Sequence, residues 1–145
     1  MASEPEELDS SVALNDLMFA ALDHAVDSVS TGEDLIAFIL TEDIGRQRSL
    51  QRFFADRLEL AAEEAKSAAS SLPGNVVRYA VAFDAYVTVA GERFDTVVVE
   101  ACERDAGAGW SLGQRYRKQV GERKFEVVGN PVLLGKVENR FGRSA

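Results

Sequence analysis

Three carboxylates in the middle of the sequence, Asp84, Asp95 and Glu100, are the side chains best suited to acid–base or metal chemistry. Residues 76–104 alternate apolar and polar side chains along two arms, which predicts a long β-hairpin. The glycine of Ala90-Gly91 supplies the positive φ that a tight turn between the arms needs. If the hairpin turns there, Asp84 and Asp95 lie on one face as near neighbours.

Carboxylates arranged in this way can bind a hard cation through oxygen, so one hypothesis is a metal-assisted hydrolase or phosphodiesterase. Glu100 falls on the other, apolar face, opposite Val81, where a carboxylate would be desolvated unless it is paired. Ion pairs from Glu100 to Arg115 or Arg117 of the next strand are the alternative, which we favour because strand acids beside strand arginines usually pair. We predict no metal site and no cofactor.

Basic and aromatic residues are interleaved in the next stretch. Together with one tyrosine of the hairpin, they predict an interaction surface formed by Tyr86, Arg115, Tyr116 and Arg117. The same chemistry resembles a platform for single-stranded nucleic acid. The net charge of −8 argues against that interpretation, because nucleic-acid domains are usually basic.

His24 and Cys102 are the only histidine and the only cysteine. Nucleophilic triads and most zinc sites need a histidine with partners, but no second histidine can join His24 and no cysteine lies near it in the sequence. A single cysteine forms no internal disulfide, and the acidic, polar N-terminus lacks the pattern of a secretory signal. These features predict a cytoplasmic protein. No apolar run approaches the length of a membrane span, which predicts no membrane association.

Acidic residues dominate the first third of the chain. Residues 1–45 contain eleven acidic side chains and no lysine or arginine, which gives −11. The remainder holds all 16 lysines and arginines and the other 13 of the 24 acidic residues, which gives +3. Such a split can dock one half of a chain on the other, or one subunit on another. We predict a disordered acidic tail over residues 1–9 and a single domain over residues 10–145.

Hydrophobic periodicity predicts the elements that position these residues. Helical spacing over residues 14–29 indicates a first helix, and the continuous apolar run 35–40 indicates a strand buried on both faces. A second, long helix is predicted to begin after Thr41 or Asp43, since an apolar stripe runs at helical spacing from residue 50 to residue 72.

Two further strands are predicted beyond the hairpin, at 110–118 and 124–128, from their alternation. Asn130-Pro131 is typical of a helix start and predicts a short terminal helix. The order α-β-α-β-β-β-β indicates an α+β fold of two layers. In that fold the N-terminal helices cover one face of an antiparallel meander of about four strands plus one extra buried strand. The other face, which carries Asp84 and Tyr86, would be the wetter one.

We favour a small cytoplasmic protein without catalytic activity that acts through self-association, as a homodimer, or through a protein partner. The aromatic residues on the wetter face and the split in charge support this hypothesis. Two alternatives stay open. One is the hydrolase that uses the hairpin carboxylates, and the other is small-molecule binding between the long helix and the sheet.

Overall fold

The computed structural model describes residues 11–142 of the chain, so the predicted acidic tail lies outside the described residues. Two helices are present, α1 (Val12–Val29) and α2 (Leu58–Ala68), and a 3₁₀ turn at Ala69–Ser71 follows α2. Neither helix of the described chain is long and apolar enough to cross a lipid bilayer. The strands are β1 (Phe38–Asp43), β2 (Arg48–Arg52), β3 (Val76–Val89), β4 (Glu92–Glu103), β5 (Ala108–Arg117) and β6 (Glu126–Glu138).

The strands form one antiparallel sheet in the order β2-β1-β3-β4-β5-β6, so the predicted mixed α+β class and its antiparallel meander are confirmed. The central hairpin has the predicted register, in which Tyr86 pairs with Asp95 and Val81 pairs with Glu100. Ala90 and Gly91 both have positive φ, 52° and 82°, as a two-residue type I′ turn requires.

The two helices pack against opposite faces of the sheet, so the architecture has three layers rather than the predicted two. Ala80 of β3 and Val97 of β4 face α1, whereas Val81 and Cys102 face α2. Both faces of the central strands are therefore apolar, and each face needs its own cover. The face predicted to be wetter is the one that α1 covers over most of its length.

The predicted long second helix is wrong, because residues 41–52 complete β1, reverse and form β2 at the sheet edge. The side chain of Asp43 accepts hydrogen bonds from the backbone N–H groups of Gly45 and Gln47, both at 2.9 Å, and holds the reversal. This local capping of a turn, together with pairing to β1, outweighs the helical spacing of residues 50 to 58. Helix α2 is consequently short.

The predicted terminal helix is also wrong, because β6 continues through Asn130-Pro131 to Glu138. Proline is tolerated there because β6 is an edge strand, and Gly129 and Gly135 take positive φ where the pairing with β5 is irregular. The Gln114 side chain bridges this irregularity, donating to the carbonyl oxygens of Val128 and Gly129.

Candidate functional site

Asp84 accepts a hydrogen bond from the phenol of the buried Tyr116. The Tyr116 hydroxyl donates to the Asp84 carboxylate and lies 3.0 Å from each of its oxygens. Tyr116 is buried beneath Phe125, with ring centroids 5.7 Å apart. Burial raises the pKa of Asp84, the hydrogen bond from Tyr116 opposes that rise, and the charge of Asp95 adds to it. Burial and the charge of Asp84 likewise raise the pKa of Tyr116.

Asp95 pairs with Tyr86 on one side and with Tyr116 on the other, so Asp84 and Asp95 share a sheet face as predicted. Glu100 lies on the opposite face, so the three carboxylates do not converge. Within residues 11–142, no group of three histidine, cysteine, aspartate or glutamate side chains could hold a metal ion.

Glu100 is half-buried, and within the described part of the chain it forms no ion pair with Arg115 or Arg117. The strand register explains why, because Glu100 lies opposite Ser111 while Arg115 lies opposite Thr96. The two arginines instead lie over the ring of Phe94, at 5.1 and 5.5 Å from its centroid.

Of the predicted interaction surface, Tyr86 is the most accessible part. Its side chain is 60% exposed, and the guanidinium of Arg93 lies 3.8 Å from the centroid of its ring. Arg115 and Arg117 are half-buried, and Tyr116 is buried, so Tyr116 lies under the surface rather than on it. The alternation that placed Tyr116 on a strand face could not show that residues 118–125 fold over it.

His24 and Cys102 belong to opposite faces of the sheet and form no catalytic pair. Cys102 is fully buried beneath α2, and burial raises the pKa of its thiol to about 11. His24 contacts the ring of Phe38 edge-on and lies 3.3 Å from a guanidinium nitrogen of Arg52.

An ionic network near the start of α1, with the buried Glu42 at its centre, has no clear signal in the sequence. Glu42 is only 1% exposed and binds Arg48 at 2.9 Å and Arg78. Arg78 also binds Glu103 at 2.9 Å, and Glu103 accepts from the hydroxyl of Ser11, the residue that caps α1. Ser11, Glu42, Arg78 and Glu103 are far apart in sequence, and only the fold brings them together. The network ties the first helix to four strands.

Strand β6 presents the most unusual surface. It pairs with β5 on one side, and its other side is the edge of the sheet. Four of its apolar side chains are 42–53% exposed, and they are Val127, Val132, Leu133 and Leu134. The segment between β5 and β6 carries three exposed basic side chains, Lys118, Arg123 and Lys124. Within residues 11–142, no other strand pairs with this edge, and an edge of this length is a site where another strand can add.

A shallow groove also lies between α2 and β3, with a volume of about 360 Å³. Its walls are Leu58 and Ala62 of the helix and Phe83 and Ala85 of the strand. The ammonium of Lys66 lies 4.4 Å from the centroid of the Phe83 ring and 3.7 Å from Glu63. The volume falls in the range of small-molecule sites.

No protein-family model matches this chain, and neither the curated proteins nor the solved structures include a significant match. Function therefore has to be inferred from the side chains and surfaces of the chain itself.

Proposed function

We propose that this protein acts through self-association, forming a homodimer across the open edge of β6, without chemistry of its own. One observation carries the proposal: a thirteen-residue edge strand displays four apolar side chains that are 42–53% exposed. Sheet proteins usually shield such edges with charges, bulges or a covering element. Here Pro131 and the local bulges interrupt the edge, yet the apolar side chains stay exposed on both sides of them.

A second copy of this chain is the partner that the charges favour. Exposed Asp23 and Asp27 of α1 form no ion pair with any residue the structure describes, and neither do the exposed basic residues that precede β6. Both sets flank β6. A two-fold axis would bring the basic segment of each copy to the acidic helix of the other, so every favourable contact would be made twice.

The test is the mass in solution of two matched variants, Leu133→Lys on β6 and Ile44→Lys on the turn between β1 and β2. Both side chains are more than half exposed, at 53% and 81%, so neither change should disturb folding. Loss of an apolar contact in both copies should weaken the Leu133→Lys dimer by at least about tenfold. Ile44→Lys should associate like the wild type. Equal association of the two variants would overturn the role of β6.

The groove between α2 and β3 supports a second candidate function, the binding of a small apolar ligand. Its apolar walls and volume of about 360 Å³ favour that function. Ala85→Phe would fill the groove from the strand side. Fluorescence of 1-anilinonaphthalene-8-sulfonate tests it, since bound dye should be lost in this variant, and unchanged binding would reject the groove as a site.

The hydrolase alternative has less support. Asp84 is bonded to Tyr116, and Glu100 lies on the opposite sheet face from Asp84 and Asp95. Calorimetric titration with Mg²⁺ and Mn²⁺ is the test, and an absence of binding to the wild type would remove this alternative.

A further inference from the structure

A second groove, of about 520 Å³, lies between α1 and the start of β6. Its apolar lining includes Phe19 of the helix and Val127 and Pro131 of the strand. Phe19 and Val127 are 45% and 46% exposed, so the groove is open and its apolar surface is accessible. The groove shares Val127 with the exposed apolar surface of β6, but its whole lining comes from one copy of the chain, so ligand binding in it does not require self-association.

The helix side of this groove is acidic. Asp23 and Asp27 are four residues apart, so they lie on the same side of α1, and both line the groove. Asp27 is in the last turn of α1, where the helix dipole already favours positive charge, and no basic residue occupies that turn. A guanidinium nitrogen of Arg52 lies 3.3 Å from His24, which also lines the groove, and neither Asp23 nor Asp27 forms an ion pair among the described residues.

Gln114 of β5 adds a fixed hydrogen-bond acceptor to the lining. Its side-chain nitrogen donates to the carbonyl oxygens of Arg115, Val128 and Gly129 at 3.1, 3.4 and 3.1 Å. Three carbonyl oxygens at these distances require the amide nitrogen there, which fixes the orientation of the amide. Gln114 is only 5% exposed, yet its Oε1 accepts a hydrogen bond from no residue of the described chain.

Every fully buried side-chain oxygen within residues 11–142 has a hydrogen-bond partner. Because Oε1 of Gln114 has none among these residues, it is at least partly accessible. Because Gln114 borders the groove, that oxygen is the acceptor available to a bound molecule. The two carboxylates and the amide oxygen all accept hydrogen bonds, so together they favour a positively charged ligand that donates N–H groups.

We infer that the groove between α1 and β6 binds a small primary amine with an aromatic or other apolar body. The ammonium lies between Asp23 and Asp27, one of its N–H groups is donated to Gln114 Oε1, and the body packs on Phe19 and Val127. Two exposed carboxylates give the charge preference, and the amide oxygen of Gln114 gives the preference for N–H over a quaternary ammonium.

Three probes of similar size separate these contributions in an NMR titration of the isotope-labelled full chain. They are 2-phenylethylammonium, trimethyl(2-phenylethyl)ammonium, which keeps the charge but has no N–H, and 3-phenylpropanoate, which reverses the charge. The primary amine should bind about tenfold more tightly than the carboxylate and several-fold more tightly than the quaternary amine. Amide shifts should concentrate at residues 19–27 and 127–131. Equal affinities, or shifts elsewhere, would overturn the assignment.

Two double variants, each of which removes two negative charges, test the carboxylates with the change in net charge matched. Asp23→Asn with Asp27→Asn should weaken binding of 2-phenylethylammonium by about tenfold. Asp56→Asn with Glu64→Gln removes two exposed acids outside the groove and should leave binding within about twofold of the wild type. An equal loss in both would indicate general attraction to an acidic protein and would contradict a built site.

The same titration on Leu133→Lys separates this site from self-association. In the proposed dimer, the basic segment of the second copy competes for Asp23 and Asp27, so 2-phenylethylammonium should bind at least as tightly to Leu133→Lys as to the wild type. Weaker binding to the variant would mean that the groove needs a second copy to be complete, and it would overturn a site built from one chain.

Discussion

The Tyr116 hydroxyl donates to both oxygens of Asp84, at 3.0 Å each, and so joins β5 to β3 across the intervening strand β4. A carboxylate that the sequence offers as a metal ligand is thereby a structural acceptor. Its raised pKa follows from burial, and the proximity of Asp95 on the same face reinforces it.

Asp84 should make stability depend on pH. Because its pKa is raised above the usual 3.8, the native state holds the proton more tightly than the unfolded state does. Its contribution to stability is therefore complete below about pH 3.8 and is lost as the pH rises through the native pKa. In Asp84→Asn, the free energy of unfolding, measured with urea from pH 3 to pH 7, should fall less with rising pH than in the wild type. At pH 7 it should not be lower than that of the wild type.

Tyr116→Phe provides the matched control, because it removes the hydrogen bond that opposes the rise in the pKa of Asp84. The loss of stability between acid and neutral pH should become larger, with a cost of about 1–3 kcal/mol at pH 7 for a buried acceptor left unpaired. A pH profile that neither substitution changes would show that Asp84 titrates normally.

The ionic network around Glu42 should act in the opposite direction. Burial alone would raise the pKa of Glu42, but hydrogen bonds from Arg48 and Arg78 and the charge of Arg46 outweigh it, and the pKa is lowered. The stabilisation is present above about pH 4.5 and is lost as the pH falls through the native pKa. Glu42→Gln should cost about 3 kcal/mol at pH 7, measured by urea unfolding, because Glu42 is buried and its loss leaves the guanidinium of Arg78, only 14% exposed, without one carboxylate.

Arg46→Gln is the control for this network. Arg46 is 56% exposed, and its contact with Glu42 is 3.3 Å, so its removal should cost less than about 1 kcal/mol. Equal costs for the two substitutions would contradict a buried, interdependent network.

Gly109 is required by the close approach of β5 to β4. A Cβ atom there would lie 2.3 Å from the carbonyl oxygen of Ala101 and 3.0 Å from the Cβ of Cys102. Gly109→Ala should therefore lower the midpoint of thermal unfolding, at a cost of about 1–3 kcal/mol or more. Gly107→Ala has open space around the new atom and should be close to neutral, and a neutral Gly109→Ala would contradict this packing.

The sequence was most informative where local pattern and sheet pairing agree. Alternation in β3 and β4, with Ala90-Gly91 between them, was sufficient to predict the register that brings Asp84 and Asp95 to one face. The apolar stripe from residue 50 to residue 72 led to the wrong prediction of one long helix. Residues 48–52 pair with β1 instead, and such tertiary pairing cannot be predicted from periodicity.

The surfaces were harder to predict than the strands. Nothing local to Pro131 shows that β5 will hold it in an edge strand, because that depends on Gln114 bonding to the bulged backbone. The first helix could be predicted, and the second only over its C-terminal part. Their placement on opposite faces could not be predicted, since Ala80 and Val81 are both apolar and either face could have been the covered one. The exposed edge and the two grooves follow from these placements.

Light scattering on the purified wild type, at micromolar concentration and at two salt concentrations, tests self-association most directly. We expect the mass of two chains at low salt and a shift toward one chain at about 1 M salt, where charges are screened beyond about 3 Å. A dimer that ignores salt would contradict the pairing of acidic and basic surfaces. The mass of a single chain under all conditions would contradict self-association itself.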